Sequence, residues 1–149
     1  MHNDYTGTIR QRFHTFISDS TDAGQSIKLV YLFGSALNPQ QFNAGSDIDL
    51  AFLIDPPLYK KDPFLHSAPA YMSATEIGLL LNRQTDVIIL NAASIETAYQ
   101  VVTTGLLLYE AECEGNLEYE AAIRGLYYDF KPFLQQLRKQ RMLHSRSEK

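Results

Sequence analysis

The sequence predicts an α/β (α+β) domain, a small mixed sheet packed against helices. Short apolar runs rich in β-branched and aromatic residues, "IKLVYLF", "SDIDLAFLI" and "TDVIIL", alternate with stretches of helical periodicity. The connection between the first two runs is too short for a crossover helix, which makes that pair antiparallel. The third run follows a helix, the alternation that favours parallel pairing. With 149 residues, 45% hydrophobic and 20% charged, the chain has the composition of one soluble domain, residues 1–149, with room for one core.

The elements follow in order. From Thr8 to Ser18, the spacing of Ile9, Phe13, Phe16 and Ile17 predicts an amphipathic helix, and "TDAGQS" ends it with turn residues. Ile27 to Phe33 is a strand that runs into Gly34-Ser35. Ser46 to Ile54 is a second strand, stopped by Asp55-Pro56-Pro57, and a loop holding Pro56, Pro57, Pro63 and Pro69 follows. A helix is expected from about Ala70 to Asn82, with Ile77, Leu80 and Leu81 on one side. Thr85 to Leu90 is the third strand. Ser94 is an N-cap for a helix from Ile95 to Thr104, with Gly105 as its stop. The segment from about 116 to 143 reads as a long helix, kinked or interrupted near Pro132.

Charge and composition exclude several classes. A net charge of -4 and a pI near 5.5 argue against a protein held on nucleic acid by bulk electrostatics. Cys113, the single cysteine, forms no internal disulfide, and no secretory h-region opens the chain. Apolar runs such as "VIIL" and "GLLLY" fall far short of the ~18 residues of a membrane span. A cytoplasmic protein with no direct nucleic-acid binding is the expectation.

Within the second strand, alternation puts Ile48, Leu50, Phe52 and Ile54 on one face. Asp47 and Asp49 share the other, their α-carbons about 6.6–7 Å apart by the strand rise. Withdrawn from water, two like charges cost several kcal/mol unless a cation meets them. That spacing lets both carboxylates converge on one or two Mg²⁺ ions, which prefer oxygen ligands. Asp86 opens the third strand and joins the cluster if the two strands are neighbours. Three carboxylates around a metal pair roughly 3.5–4 Å apart make a two-metal phosphoryl-transfer site. Gly34-Ser35 supplies the other half: a glycine after a strand permits close backbone approach to a ligand, and Ser35 offers its N–H and hydroxyl to phosphate oxygens. Either motif alone is commonly a plain turn or a solvated strand start. Together they specify much more.

"GSALNPQQFNAGSDIDL" is similar to the signature of the nucleotidyltransferase superfamily, and "TDVIIL" stands where that superfamily carries its third carboxylate. From about Thr8 to Arg141 the chain resembles the minimal nucleotidyltransferase (MNT) group. "NAASIETAYQVVTTGLLLYE" and "YYDFKPFLQQLRKQRM" resemble its antitoxin branch, which is paired with a HEPN-domain toxin. The resemblance implies a polymerase beta-like fold in which Gly34 and Ser35 hold the β- and γ-phosphates of ATP. Asp47 and Asp49 would bind Mg²⁺ on the triphosphate, and Asp86 would bind the catalytic metal and help deprotonate the acceptor hydroxyl. The resemblance to the antitoxin branch further implies that the acceptor is a tyrosine of the toxin, which would gain one or more AMP units and lose its RNase activity.

One departure accompanies the resemblance. Eleven residues, Ala36 to Ser46, separate Ser35 from Asp47, one more than the family's usual count, and the arginine and glycine common just after Gly-Ser are missing. Two other functions compete: an antitoxin acting by occlusion alone, and a small-molecule nucleotidyltransferase of the aminoglycoside type. The basic residues from Lys131 onward read as a solvated helix end, or as a basic arm touching the toxin or the nucleotide. Tyr127, Tyr128, Phe130 and Phe133 read as core or partner interface, and the four histidines show no ligand spacing.

Overall fold

A four-stranded sheet with strand order β3-β2-β1-β4 organises the molecule, a computed structural model that describes residues 5–19, 26–38, 40 and 45–147. The strands are β1 (Ile27–Phe33), β2 (Ile48–Ile54), β3 (Thr85–Ile89) and β4 (Leu106–Glu110). β1 pairs antiparallel with both β2 and β4, while β2 and β3 run parallel, so the sheet is mixed. The helices are α1 (Tyr5–Asp19), α2 (Pro56–Lys61), α3 (Pro63–Leu81), α4 (Ile95–Thr104) and α5 (Gly115–Ser147).

The period-2 alternation of β1 and β2 sorts their side chains onto two helical layers. Val30, Leu32, Ile48, Leu50, Phe52 and Ile54 face α1 and α3, where Ile9, Phe13, Ala74 and Ile77 complete a buried cluster. Phe13 meets Phe52 edge to face, ring centroids 5.7 Å apart. Each such side chain contributes about 1.5–3 kcal/mol by leaving water. On the other face Leu29, Tyr31 and Ala51 pack against Ala98, Val101 and Val102 of α4, with Tyr119 and Ile123 of α5 alongside. The Tyr31 hydroxyl, inside this layer, donates to Glu120 Oε1 at 2.8 Å and ties α5 to the sheet.

Several expectations require correction. The proline-rich stretch is not a loop: Asp55 and Asp62 cap α2 and α3, accepting from Leu58 N–H and Leu65 N–H, with prolines in the first turns. A proline at the first helical position has no N–H to leave unsatisfied and a φ already suited to a helix. α3 therefore begins at Pro63 and runs through Pro69. Leu80 points outward while Ile77 is buried. β4, absent from the expected element order, forms the sheet edge beside β1. α5 runs through Pro132 uninterrupted, and Phe130, Phe133 and Tyr128 are exposed rather than core.

Where β3 ends, the Asn91 side chain continues the ladder, accepting from Ile54 N–H at 2.9 Å and donating to Ile54 O at 2.8 Å. The turn from α3 into β3 is equally tight. Asn82 takes the left-handed conformation (φ 52), Arg83 N–H donates to Gly78 O at 2.9 Å, and a methyl on Gly78 would lie 2.7 Å from Arg83 O. Gly78→Ala should therefore lower the melting temperature by several degrees, since the ~1–3 kcal/mol of overpacking exceeds alanine's helix-propensity gain of about 1 kcal/mol. An unchanged or higher melting temperature would show that this turn has slack.

Candidate active site

The antiparallel pairing of β1 and β2 sets Phe33 opposite Asp49, and the parallel pairing of β2 and β3 sets Asp49 opposite Asp86. The end of β1, the start of β2 and the start of β3 thus meet at one level of the sheet, on neighbouring strands about 4.8 Å apart. Gly34 follows directly, opening a 3-10 turn, Gly34–Leu37, with φ +77. That conformation is open to glycine and strained for other residues. Space is limiting as well: a Cβ at Gly34 would collide with Asp49 Oδ2. Gly34 thus gives Asp49's carboxylate its room. Ser35 is the second residue of this turn, and its carbonyl accepts from Asn38 N–H at 3.0 Å.

Asp47 is exposed and stands just before β2, Asp86 is exposed on the edge strand, and Asp49 is half-buried between them. The Asp49 carboxyl is pushed above the usual carboxylate range, first by partial burial, then by the charges of Asp86 and Asp47. None of the ion pairs among the described residues involves the three carboxylates. The expected neighbourhood of β2 and β3 is therefore present. The side chains are less closely drawn together, for among the described residues no three acidic, histidine or cysteine groups are clustered tightly enough to hold a metal ion.

The sequence reading passed over Arg83. Its Nη1 donates to Ser46 O at 3.0 Å, and Ile48 N–H donates to Gln84 O at 2.9 Å, so the residues before β3 fasten the chain on both sides of Asp47. Its place two residues before "TDVIIL" was the available signal. Of the long connection after Ser35, Pro39 and residues 41–44 lie outside the described residues, as does most of "TDAGQS".

The family model described as Polymerase beta, Nucleotidyltransferase matches residues 17–114. The chain belongs to this nucleotidyltransferase family. Among solved structures, a chain of a toxin–antitoxin crystal structure with AMP-PNP superposes with a TM-score of 0.66 at 22% identity, covering 89% of this chain and 98% of that one. A chain of the toxin–antitoxin MntA-HepT gives 0.62 at 22% identity, covering 91% and 98%. A structure of the tri-AMPylated Shewanella oneidensis HEPN toxin in complex with MNT antitoxin gives 0.60 at 22%, covering 90% and 98%. At such identity the likeness is one of fold. No curated protein matches the chain.

As a nucleotidyltransferase site, the donor set suits a hard divalent cation: carboxylate oxygens, no ion pair to them among the described residues, and an Asp49 whose ionisation burial and its neighbours oppose. The same repulsion gives a test without metal. Because the folded-state pKa of Asp49 is raised, its ionisation weakens the fold above that pKa, and the cost is absent below the ordinary carboxylate value of 3.8. Asp49→Asn in chelator should raise the melting temperature by a few °C at pH 7, with the gain fading as the pH falls toward that value. Destabilisation at pH 7 would mean that the carboxylate serves the fold instead.

Proposed function

We propose that this nucleotidyltransferase transfers AMP from ATP to a tyrosine of a cognate HEPN-type toxin and so neutralises it. The observation that carries the reading is the meeting of Gly34, Asp49 and Asp86 at one level of the sheet, with Asp47 beside them. Gly34 and Ser35 would receive the β- and γ-phosphates, where the turn lets backbone approach the ligand. Asp47, Asp49 and Asp86 would hold two Mg²⁺ ions, which when bound supply the positive charge that neutralises the triphosphate and the leaving pyrophosphate. Asp86, exposed on the edge strand, would take the proton of the incoming hydroxyl. The tyrosine oxygen forms a bond to the α-phosphorus as the bond from that phosphorus to the bridging oxygen breaks, and pyrophosphate departs. Positioning and charge neutralisation would supply the rate.

The acceptor is argued from two sides. The fold is that of chains from toxin–antitoxin complexes, including one with an AMPylated HEPN toxin. This chain also carries an uncovered face fit for a partner: on α5, Leu126, Phe130, Phe133 and Leu137 recur at spacings of four, three and four and are exposed. Lys131, Arg138, Lys139 and Arg141 flank them. No helix among the described residues is long and apolar enough to cross a membrane, and a cytoplasmic setting, where ATP is abundant, fits the reaction.

Mixed with a cognate HEPN-type toxin, Mg²⁺ and labelled ATP, the chain should place label on a toxin tyrosine. Asp49→Asn should reduce transfer by about 10²-fold or more, the scale of losing an electrostatic anchor. A complex that forms with no label transferred would establish occlusion instead. A second variant probes the docking face. Phe130 and Phe133 are 48% and 56% exposed, so Phe130→Glu/Phe133→Glu should leave the fold intact, keep the Mg-ATP thermal shift and lose the toxin in co-purification. Retention of the toxin by this variant would remove α5 from the interface.

A further inference from the structure

The cavity that Gly34 lines has no part in the chemistry above. It holds about 360 Å³ between the Gly34–Leu37 turn and α4, a size found among small-molecule sites. Phe33, Leu37 and Val101 give it apolar walls, and Val101 is itself buried. Thr97, Gln100 and Thr104 add polar groups at helical spacing along α4. Two of these are engaged locally: Thr104 Oγ1 donates to Gln100 O at 2.7 Å, and Thr97 Oγ1 accepts from Ser94 Oγ at 3.0 Å. The side-chain amide of Gln100 has no hydrogen-bond partner among the described residues. It is the uncommitted donor and acceptor on the α4 wall, while on the opposite wall Asn38 Oδ1 accepts from Gln40 N–H at 3.1 Å.

We infer that this cavity receives the nucleoside of the nucleotide whose phosphates lie on Gly34 and Ser35, and that Gln100 selects adenine; the inference rests on the nucleotide-binding reading of the site. Continuity is the first argument. Gly34 belongs to both the phosphate turn and the cavity wall, so a triphosphate held on one side of it has its nucleoside within reach of the other. The lining is the second. Phe33 and Leu37 suit the apolar faces of a base, and the α4 side chains suit its polar edge. Chemistry is the third. A glutamine amide presents one donor beside one acceptor, which matches the adjacent amino group and ring nitrogen of adenine. On the corresponding edge guanine has two acceptors, and one would face the amide oxygen.

The test is nucleotide binding read by thermal shift, with Mg²⁺ and each of ATP, GTP, CTP and UTP titrated onto the full chain. Wild type should bind ATP at least about tenfold more tightly than GTP, the low end of discrimination from one paired edge. Gln100→Glu turns the amide into an acceptor-only carboxylate, which loses the donor to the ring nitrogen of adenine and meets only acceptors on the same edge of guanine, so ATP binding should weaken about tenfold with no gain for GTP. Gln100→Leu should bring the four nucleotides together. Gln100 is exposed on α4, so the ligand-free melting temperature should stay near wild type in both variants. If wild type binds nucleotides and neither variant weakens its binding of ATP, the assignment of Gln100 and the cavity falls while the phosphate site stands. If no nucleotide raises the wild-type melting temperature, both readings fall together.

Discussion

The site depends on one steric and electrostatic arrangement: a carboxylate at Asp49 standing where a side chain on Gly34 would otherwise be. The register Phe33 opposite Asp49 brings the residue after β1 directly over the second residue of β2. Only a residue without a Cβ fits there, and the positive φ of Gly34 asks for the same residue independently. Asp49, for its part, is half-buried and repelled from two sides by Asp86 and Asp47. A fold selected for stability alone gains nothing from three like charges that no ion pair among the described residues engages. On the proposed reading, a cation and a phosphate chain would relieve that repulsion in the space that Gly34 leaves open.

The rest of the molecule holds that arrangement in place. Parallel pairing with β2 fixes Asp86 at the level of Asp49, and that pairing requires α3 to return the chain along one face of the sheet. The return is closed by Gly78, Asn82 and the Arg83 N–H. Arg83 then uses its side chain to hold Ser46. One short segment therefore sets both the register of β3 and the entry to Asp47. Behind it, Leu50 and Phe52 anchor β2 in the core, so the carboxylates project from a strand that has little freedom to slide.

Much of this was legible in local pattern. The alternation in "IDLAFLI" separates core from carboxylates without reference to any contact, and the short link between the first strands implies their antiparallel pairing. The same reasoning failed at Pro56, Pro63 and Pro69, because a run of prolines was read as a loop. At Pro56 and Pro63 it is a helix starter with a preceding aspartate cap. β4 was missed because "LLLYE" is short, follows a helix directly and owes its state to pairing with β1, a non-local cause. Register could be anticipated for Asp86, but how closely three carboxylate groups approach depends on rotamers that no spacing rule reaches. The cavity by α4 lay beyond reach for a similar reason. It joins residues more than sixty positions apart, and neither "LFGSAL" nor "IETAYQVVTT" contains it alone.

Across the sheet these parts fall into an order that bears on how two substrates meet. The cavity lies against the turn that follows β1 and against α4, Asp49 occupies β2, and Asp86 occupies β3, the edge strand. On the proposed reading, the nucleoside enters from the β1 side and the acceptor approaches past β3. An edge strand has a neighbour on only one side, so the flank of Asp86 away from Asp49 is open to a second molecule. The hydroxyl that surrenders its proton to Asp86 would then approach the α-phosphorus from the side away from the nucleoside cavity. A small acceptor would need walls on that open flank, whereas a protein acceptor brings its own surface and needs only a docking face elsewhere. The exposed stripe of α5, distant in sequence from the carboxylates, supplies such a face. The proposed nucleotide site at one side of the sheet, an exposed carboxylate at the other and the exposed stripe of α5 together favour a macromolecular acceptor over a small one.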